Sequence, residues 1–461
     1  MKQLKYVNIF ENDEVMSGFD PNDPLGRFTN FITNTYNTLQ EKEEWTTLSF
    51  GPFDDTFVFE GGPYEDLRYD PALIRIQNIK QLGFLSSIPQ FIGATSNRYM
   101  HSLLTAIVGE YVTHENGLGD YTDLAIFYGL LHDLATPPFS EQGKLACPEY
   151  LDEEDNFELS LNKNIRRTIQ KYGLSVSDVA ECIRGTHPVL GKLANSQNGL
   201  DIDRISHVIK DFRMTYHDQA PSRELVGFHG ERGQEEINEY INPGVFSLYK
   251  DISFEQIDGR VWPVFEDSEK LGDFLMVRAL MHRDVYFSWL QRARERMLEV
   301  ELRKLWEYGK LDKQKMLEWT DDNLRLFLRK EMNRWRFNEC FNPLSYKLME
   351  EDRVWDRDAN QVREDLRASG KVLCDRATED EPDEMYIVSE PRSFNTASRS
   401  LVKTRDGAVP FERACPKRAK ALEDVRDSCG FVGIYRYIRD FEMTNSIRGS
   451  TFHLVGGFST G

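Results

Sequence analysis

Residues 123–140 read DLAIFYGLLHDLATPPFS. The first eleven are apolar enough for a buried helix. Pro137 and Pro138 forbid its continuation, because a proline has no N–H to donate and its ring collides with the preceding turn. His132 and Asp133 therefore close the helix side by side, an imidazole and a carboxylate that can reach one cation from a rigid platform. Alone the pair is a weak signal, since a histidine at a helix C-terminus also complements the helix dipole.

Company strengthens it. RYMHSLLTAIVGEYVTH (98–114) sets Leu103, Leu104, Ile107, Val108, Tyr111 and Val112 on one broad helical face and carries His101 near its start. LDIDRISHVIKDF (200–212) opens a third helix after the turn signal at Asn198 and Gly199, with Asp203 in its first turn. Two neutral imidazoles and two carboxylates make a mixed nitrogen and oxygen set. It suits a divalent metal that keeps open positions for water and substrate. Spacing alone leaves this metal site and a set of ordinary helix ends as open alternatives.

Two polar stripes adjoin these groups. Asp203, His207 and Asp211 stand at i, i+4 and i+8, and Arg278, His282 and Tyr286 repeat the interval on a later helix. Stripes of this kind are costly when buried without partners, so they either face water or line a cleft.

The bulk properties bound what the chain can be. Its 461 residues are enough for a large lobe and a second one, and 40% hydrophobic and 12% aromatic residues can fill their interiors. A net charge of -19 repels polyanions and disfavours long nucleic acid as a partner, while a small anion in a locally basic cleft stays permitted. The six cysteines are scattered without a CxxC pair, which fits free thiols in a reducing cytoplasm. The sequence shows no signal peptide, and no apolar run reaches the roughly 18 residues of a membrane span.

Residues 1–64 read as an irregular N-terminal extension. DPALIRIQNIKQLG (70–83) is helical in pattern, residues 160–190 hold a helix pair, and periodic stretches cover about 270–306 and 313–336. Residues 65–340 form one mainly α lobe on this reading. From 341 to 461 the texture becomes α+β. GKVLCD, EMYIVSE, SRSLVKTR and VGIYRYIRDF read as strands, 409–430 reads as a helix, and the acidic ATEDEPDE (377–384) reads as a surface loop.

The words IKQLG (79–83), FIGATSNRYMHSL (91–103), LLHDLATPPFS (130–140) and NGLDIDRISHVIKD (198–211) resemble, in order and approximate spacing, the HD superfamily. Within it they are most similar to the dGTPases and the SAM-and-HD-domain deoxynucleotide triphosphohydrolases. The likeness covers about 65–300, with weaker similarity around 385–440. It implies that His101, His132, Asp133 and Asp203 bind a divalent cation, with Mn, Mg, Fe, Co, Ni and Zn all open. It implies hydrolysis of a deoxynucleoside triphosphate to the deoxynucleoside and triphosphate. Arg98, Arg204 and Arg278 then contact the triphosphate, His207 stands where the family often has a phosphate-contacting Tyr, and His282 lines the substrate cleft. Asp211 matches the residue that binds the sugar 3′-hydroxyl, and Tyr286 matches the wall against the deoxyribose. Gln81 and Leu82 match the pair that excludes a 2′-hydroxyl. Family members commonly form homo-oligomers, and roles in phage defence or nucleotide-pool control are analogies.

The pattern breaks at the family's auxiliary histidines. Thr136, Glu141 and Phe157 occupy those positions. Loss of a general acid typically costs roughly 10²- to 10⁴-fold in rate. Either Glu141 or His207 supplies the proton chemistry, or the chain is a nucleotide-binding sensor with weak or no turnover. A phosphohydrolase for another nucleotide or a phosphodiester is the remaining enzymatic reading. The other histidines, His114, His187, His217, His229 and His453, show no partner pattern and read as surface or core groups.

Overall fold

The computed structural model describes residues 5–8, 46–49, 55–59, 62–83, 96–146, 151, 153–212, 215, 239–240, 245–341, 346–355, 357–376 and 384–439. It is mainly α, with a smaller sheet-containing C-terminal region. The loop at 84–95, His217, His229, His453, Cys147 and most of the acidic 377–384 run lie outside the described residues.

The helices that position the site are α1 (Pro71–Gln77), α2 (Arg98–Glu115), α3 (Thr122–Leu131), α4 (Glu141–Ala146) and α5 (Ile202–Phe212). They are followed by α6 (Ser268–Met281), α7 (Trp289–Glu307), α8 (Asp321–Glu331) and α9 (Pro416–Asp427). Side-chain caps set where several begin. Asp70 accepts from Ala72 N at α1, Asn97 from Met100 N at α2 and Asp267 from Glu269 N and Lys270 N at α6.

α2 and α3 carry the two histidines, and their approach depends on one small residue. A Cβ on Gly129 would stand 2.3 Å from Ala106 Cα, so no larger residue fits where the helices touch. The apolar faces of both helices, with Leu103, Ile107, Phe127 and Leu131, pack with Ile202, Ile205 and Phe274 into one buried cluster. Each such side chain stabilises by about 1.5–3 kcal/mol on burial. That core makes the helices a rigid frame for polar groups at their ends.

The C-terminal part is knitted into this frame. β4 (Ile252–Ile257) and β5 (Arg260–Phe265) form a hairpin, β5 pairs in parallel with β8 (Leu401–Thr404), and β8 pairs with β9 (Gly407–Pro410). Phe394, Val402, Phe411 and Leu422 belong to the same core as α2 and α3. A second sheet, β6 (Tyr346–Val354), β10 (Val432–Arg439) and β7 (Glu384–Ser389), is antiparallel in that order. It packs on α7 through Ala293, Leu298, Met385, Ile387, Tyr435 and Tyr437.

Several expectations need correction. β1 (Lys5–Asn8), β2 (Thr46–Ser49) and β3 (Asp55–Phe59) form a small antiparallel sheet in the N-terminal segment expected to be irregular. β1 joins β3 from the far end of the segment, and strands of four or five residues are too short to carry a clear period. The helical pattern of 70–83 ends at Gln77, and the chain turns through Gly83 at φ 48. The stretch 270–306 is two helices joined by a π turn, His282–Tyr286, closed by Phe287 N donating to His282 O. GKVLCD makes a single bridge at Leu373 and then a 3-10 turn, and 409–430 divides into two helices at Cys415. Among the described residues no helix is long and apolar enough to cross a membrane.

Candidate metal and substrate site

The end of α3 brings an imidazole and a carboxylate to one point. His132 caps the helix, and its Nδ1–H donates to Gly129 O at 2.8 Å, which leaves Nε2 with its lone pair turned inward. His101, from the first turn of α2, is 1% exposed and sets its Nε2 3.2 Å from His132 Nε2. Asp133 Oδ2 lies 3.8 Å from the first of these nitrogens and 3.7 Å from the second. These three ligand atoms fall within 4.8 Å of one another, an arrangement that can hold a metal ion. Asp203, from the first turn of α5, brings Oδ1 to 2.8 Å from His101 Nε2 and 3.6 Å from His132 Nε2.

Electrostatics supports the fit. Burial alone would depress His132, but Asp133 and Asp203 push it up to about 9. Burial likewise opposes ionisation of Asp133, yet Arg98, His132 and His101 hold it well below the usual carboxylate range. The carboxylates that favour a proton on His132 would favour a divalent cation in its place, with the imidazole deprotonated to bind it.

The surrounding chain fixes Asp133 from several sides. Arg98 Nη1 donates to both of its oxygens at 3.1 Å, and Thr136 Oγ1 donates to Oδ1 at 3.1 Å. The loop after it is strained, with Phe139 at φ 61 and Ser140 at φ 53. Its anchors are distant in sequence. Asp321 Oδ1 accepts from Phe139 N at 2.7 Å, and Asp321 Oδ2 accepts from Lys80 N at 2.8 Å. Ser140 Oγ donates to Lys80 O at 2.7 Å, while Arg75 donates to Leu134 O, Thr136 O and Trp319 O.

This wall opens on a cavity of about 600 Å³. Of the residues singled out from sequence, Gln81, Leu82, Arg98, His132, Asp133, Glu141, Asp203, Arg204, His207, Asp211, Arg278, His282 and Tyr286 line it. His101 stands behind them. Thr136 is fully buried, and its hydroxyl donates to Asp133. Glu141 is an exposed residue in the first turn of α4, 3.6 Å from Lys144 Nζ.

The two stripes converge in this cavity. His207 lies between His101 and Tyr286, with ring centroids 6.3 and 6.4 Å away, and burial pushes its imidazole down to about 3. It is therefore neutral at working pH. Tyr286 donates to Asp211 Oδ2 at 2.8 Å, and burial raises Asp211 to about 6. Arg278 donates to Asn395 O, and His282 stacks on Phe394 with centroids 4.5 Å apart. Arg204 is paired with Asp201 and donates to Ser196 O at 2.6 Å.

No family model matches this chain, nor does any curated protein. Solved structures share its fold. One is a hypothetical protein from Aquifex aeolicus, TM-score 0.61 at 19% identity, over 88% of this chain and 99% of the other. Another is a phosphohydrolase from Bacteroides thetaiotaomicron, TM-score 0.59 at 18% identity, over 86% of this chain and 100% of the other. The likeness is one of fold.

Some groups of the site carried no signal in the sequence reading. Arg75, Asp201, Asp321, Gln142, Glu295 and the segment Arg392–Asn395 all touch the loop or the cavity.

Proposed function

We propose that this chain is a metal-dependent phosphohydrolase whose substrate is a deoxynucleoside triphosphate, cleaved to the deoxynucleoside and inorganic triphosphate. The observation that carries the reading is the convergence of His101, His132, Asp133 and Asp203 at a cavity that also presents Arg98, Arg204 and Arg278. A bound cation would polarise a phosphoryl oxygen and ease deprotonation of water. The guanidinium groups offset the charge of a polyanion, as forked donors do for phosphate oxygens. The neutral His207 imidazole can donate or accept a hydrogen bond, and an incoming polyanion favours its protonation. Leu82 and Gln81 at the cavity wall support a deoxyribose preference by the resemblance described above. The phosphohydrolase title of one structure with this fold agrees with the coarser part of the reading.

A second reading, a nucleotide-binding sensor, rests on a specific observation. Arg98 and Arg204 are already engaged by Asp133 and Asp201, the Thr136 hydroxyl is taken up by Asp133, and Glu141 is exposed beside Lys144. Chromatographic product analysis separates the two. The protein is incubated with Mn²⁺, Mg²⁺ or Co²⁺ and the four dNTPs, singly and mixed, beside Asp133→Ala. Deoxynucleoside plus triphosphate, absent in the variant, is the expected result. Tight cation-dependent binding with no product in any mixture overturns turnover and leaves the sensor.

A further inference from the structure

α5 meets α2 through residues spaced i, i+4 and i+7. Asp203 sets Oδ1 2.8 Å from His101 Nε2, the His207 ring stands 6.3 Å from that of His101, and Lys210 Nζ donates to Asn97 O at 3.1 Å. The first two belong to the cavity. Lys210 is 3% exposed and does not line it.

The burial of this lysine needs a reason. Lysine is seldom fully buried without a partner for its charge. Lys210 forms no ion pair among the described residues, and its hydrogen bond goes to a neutral main-chain carbonyl. Taking an ammonium out of water for one such bond opposes folding. A Met of similar length would fill the space without that cost, so stability does not account for the residue. Burial lowers its amine to about 7 against the attraction of Asp211. In either protonation state the amine keeps an N–H to donate, and the contact with Asn97 O persists.

The carbonyl it holds is a particular one. Asn97 caps α2, its side chain accepting from Met100 N, and its main-chain oxygen accepts from His101 N at 3.2 Å as well as from Lys210. Lys210 therefore grips the acceptor that opens the helical turn bearing His101. The residues on either side of Asn97 are tied elsewhere: Gln81 N donates to Ser96 O and Arg98 N to Ile79 O, both at 2.9 Å. Of these contacts, the one from Lys210 comes from the helix that supplies Asp203. Arg98, next in the chain, is the residue that orients Asp133.

Resting on the reading of His101, His132, Asp133 and Asp203 as cation ligands, we infer that Lys210 is a positioning residue whose hold on Asn97 O fixes α2 against α5, and with it the placing of His101 relative to Asp203. It acts through the two helices and touches neither cation nor substrate.

Cation binding tests this without requiring turnover. Calorimetry with Mn²⁺ and the visible absorption of bound Co²⁺, which reports ligand geometry, are compared for the wild type, Lys210→Met and Lys210→Gln. Lys210→Met is expected to raise the Mn²⁺ Kd about tenfold, as loss of a supporting contact does, and to displace the Co²⁺ bands. Its melting temperature without metal should equal or exceed that of the wild type, because a buried charge has been removed. Lys210→Gln keeps a donor on a shorter side chain and should fall between the two. A folded Lys210→Met with the wild-type Kd and bands overturns the assignment. So does weaker binding with a lowered melting temperature and unmoved Co²⁺ bands, the pattern of general loosening. If Lys210→Met does not fold, Lys210→Gln decides: a raised Kd with displaced bands supports the clamp, and wild-type values for both overturn it. A wild type that binds neither Mn²⁺ nor Co²⁺ overturns the cation-site reading and the role of Lys210 with it.

Discussion

Arg98 Nη1 donates to both oxygens of Asp133 at 3.1 Å, so a guanidinium sits against a carboxylate that also faces His101 and His132. The contact holds Asp133 ionised and oriented before any cation arrives. Removing such a supporting partner typically weakens metal affinity about 10- to 100-fold. Arg98→Gln is therefore expected to raise the Kd for Mn²⁺ by that factor at pH 7, measured by calorimetry. It should do so even where the variant's melting temperature matches the wild type. An unchanged Kd would show that Arg98 only lines the cavity.

Asp321 controls the same loop from α8. Its two oxygens accept from Phe139 N and Lys80 N, and these bonds hold two consecutive residues, Phe139 and Ser140, at positive φ. Left-handed backbone at non-glycine residues costs on the order of 1–3 kcal/mol each, so the anchor maintains the strain. Asp321→Ala strands two partly buried N–H groups and is expected to lower stability by up to about 2–6 kcal/mol, each orphaned donor contributing about 1–3. Chemical denaturation measures the loss. Cation affinity should fall with it, because the loop bearing Asp133 loosens. Full stability in the variant would mean the loop holds itself.

Legibility followed sequence distance. The helix ending in His132 and Asp133 was readable because its apolar run and its stop at Pro137 and Pro138 are local. The order of His101 and Asp203 was readable because each sits in the first turn of its own capped or turn-preceded helix. What holds them was not. Asp321 reaches Phe139 across 182 residues, and Arg278 reaches Asn395 across 117, contacts that leave no period in the chain. Spacing also said nothing of direction. Thr136 aligned with a family histidine, yet its hydroxyl faces Asp133. The stripe Arg278, His282, Tyr286 passes through a π turn that a 3.6-residue pattern cannot reveal, although all three still line the cavity.

Glu110 gives a pH dependence of stability remote from the cation ligands. Burial first, and Asp123 with it, raise its carboxyl to about 7 although Tyr64 donates to it at 2.9 Å. The folded state thus binds this proton more tightly than the unfolded chain, whose value is near 4.5. The resulting stabilisation is fully present below the unfolded value and is lost as pH rises through about 7. Its total is on the order of 3 kcal/mol. Glu110→Gln keeps an acceptor for Tyr64 and removes the titration. Its melting temperature should gain on the wild type by several degrees between pH 5 and pH 8. A gap independent of pH would place the titration elsewhere.

Asp211 predicts a pH dependence of binding with the opposite sense. Burial raises its carboxyl to about 6 against the hydrogen bond from Tyr286. Its other oxygen, Oδ1, is buried with no partner among the described residues and lies in the cavity's polar stripe. If that oxygen accepts from the sugar 3′-hydroxyl, the ionised form is the competent one, and affinity is lost as pH falls through about 6. The expected result is a kcat/KM for the dNTP that drops tenfold per pH unit well below that value. A 2′,3′-dideoxynucleotide, lacking the donor, should show no such limb and a lower plateau. Asp211→Asn should abolish the limb for the dNTP. A limb shared by the dNTP and its dideoxy analogue would assign the titration to another group and remove Asp211 from contact with the sugar.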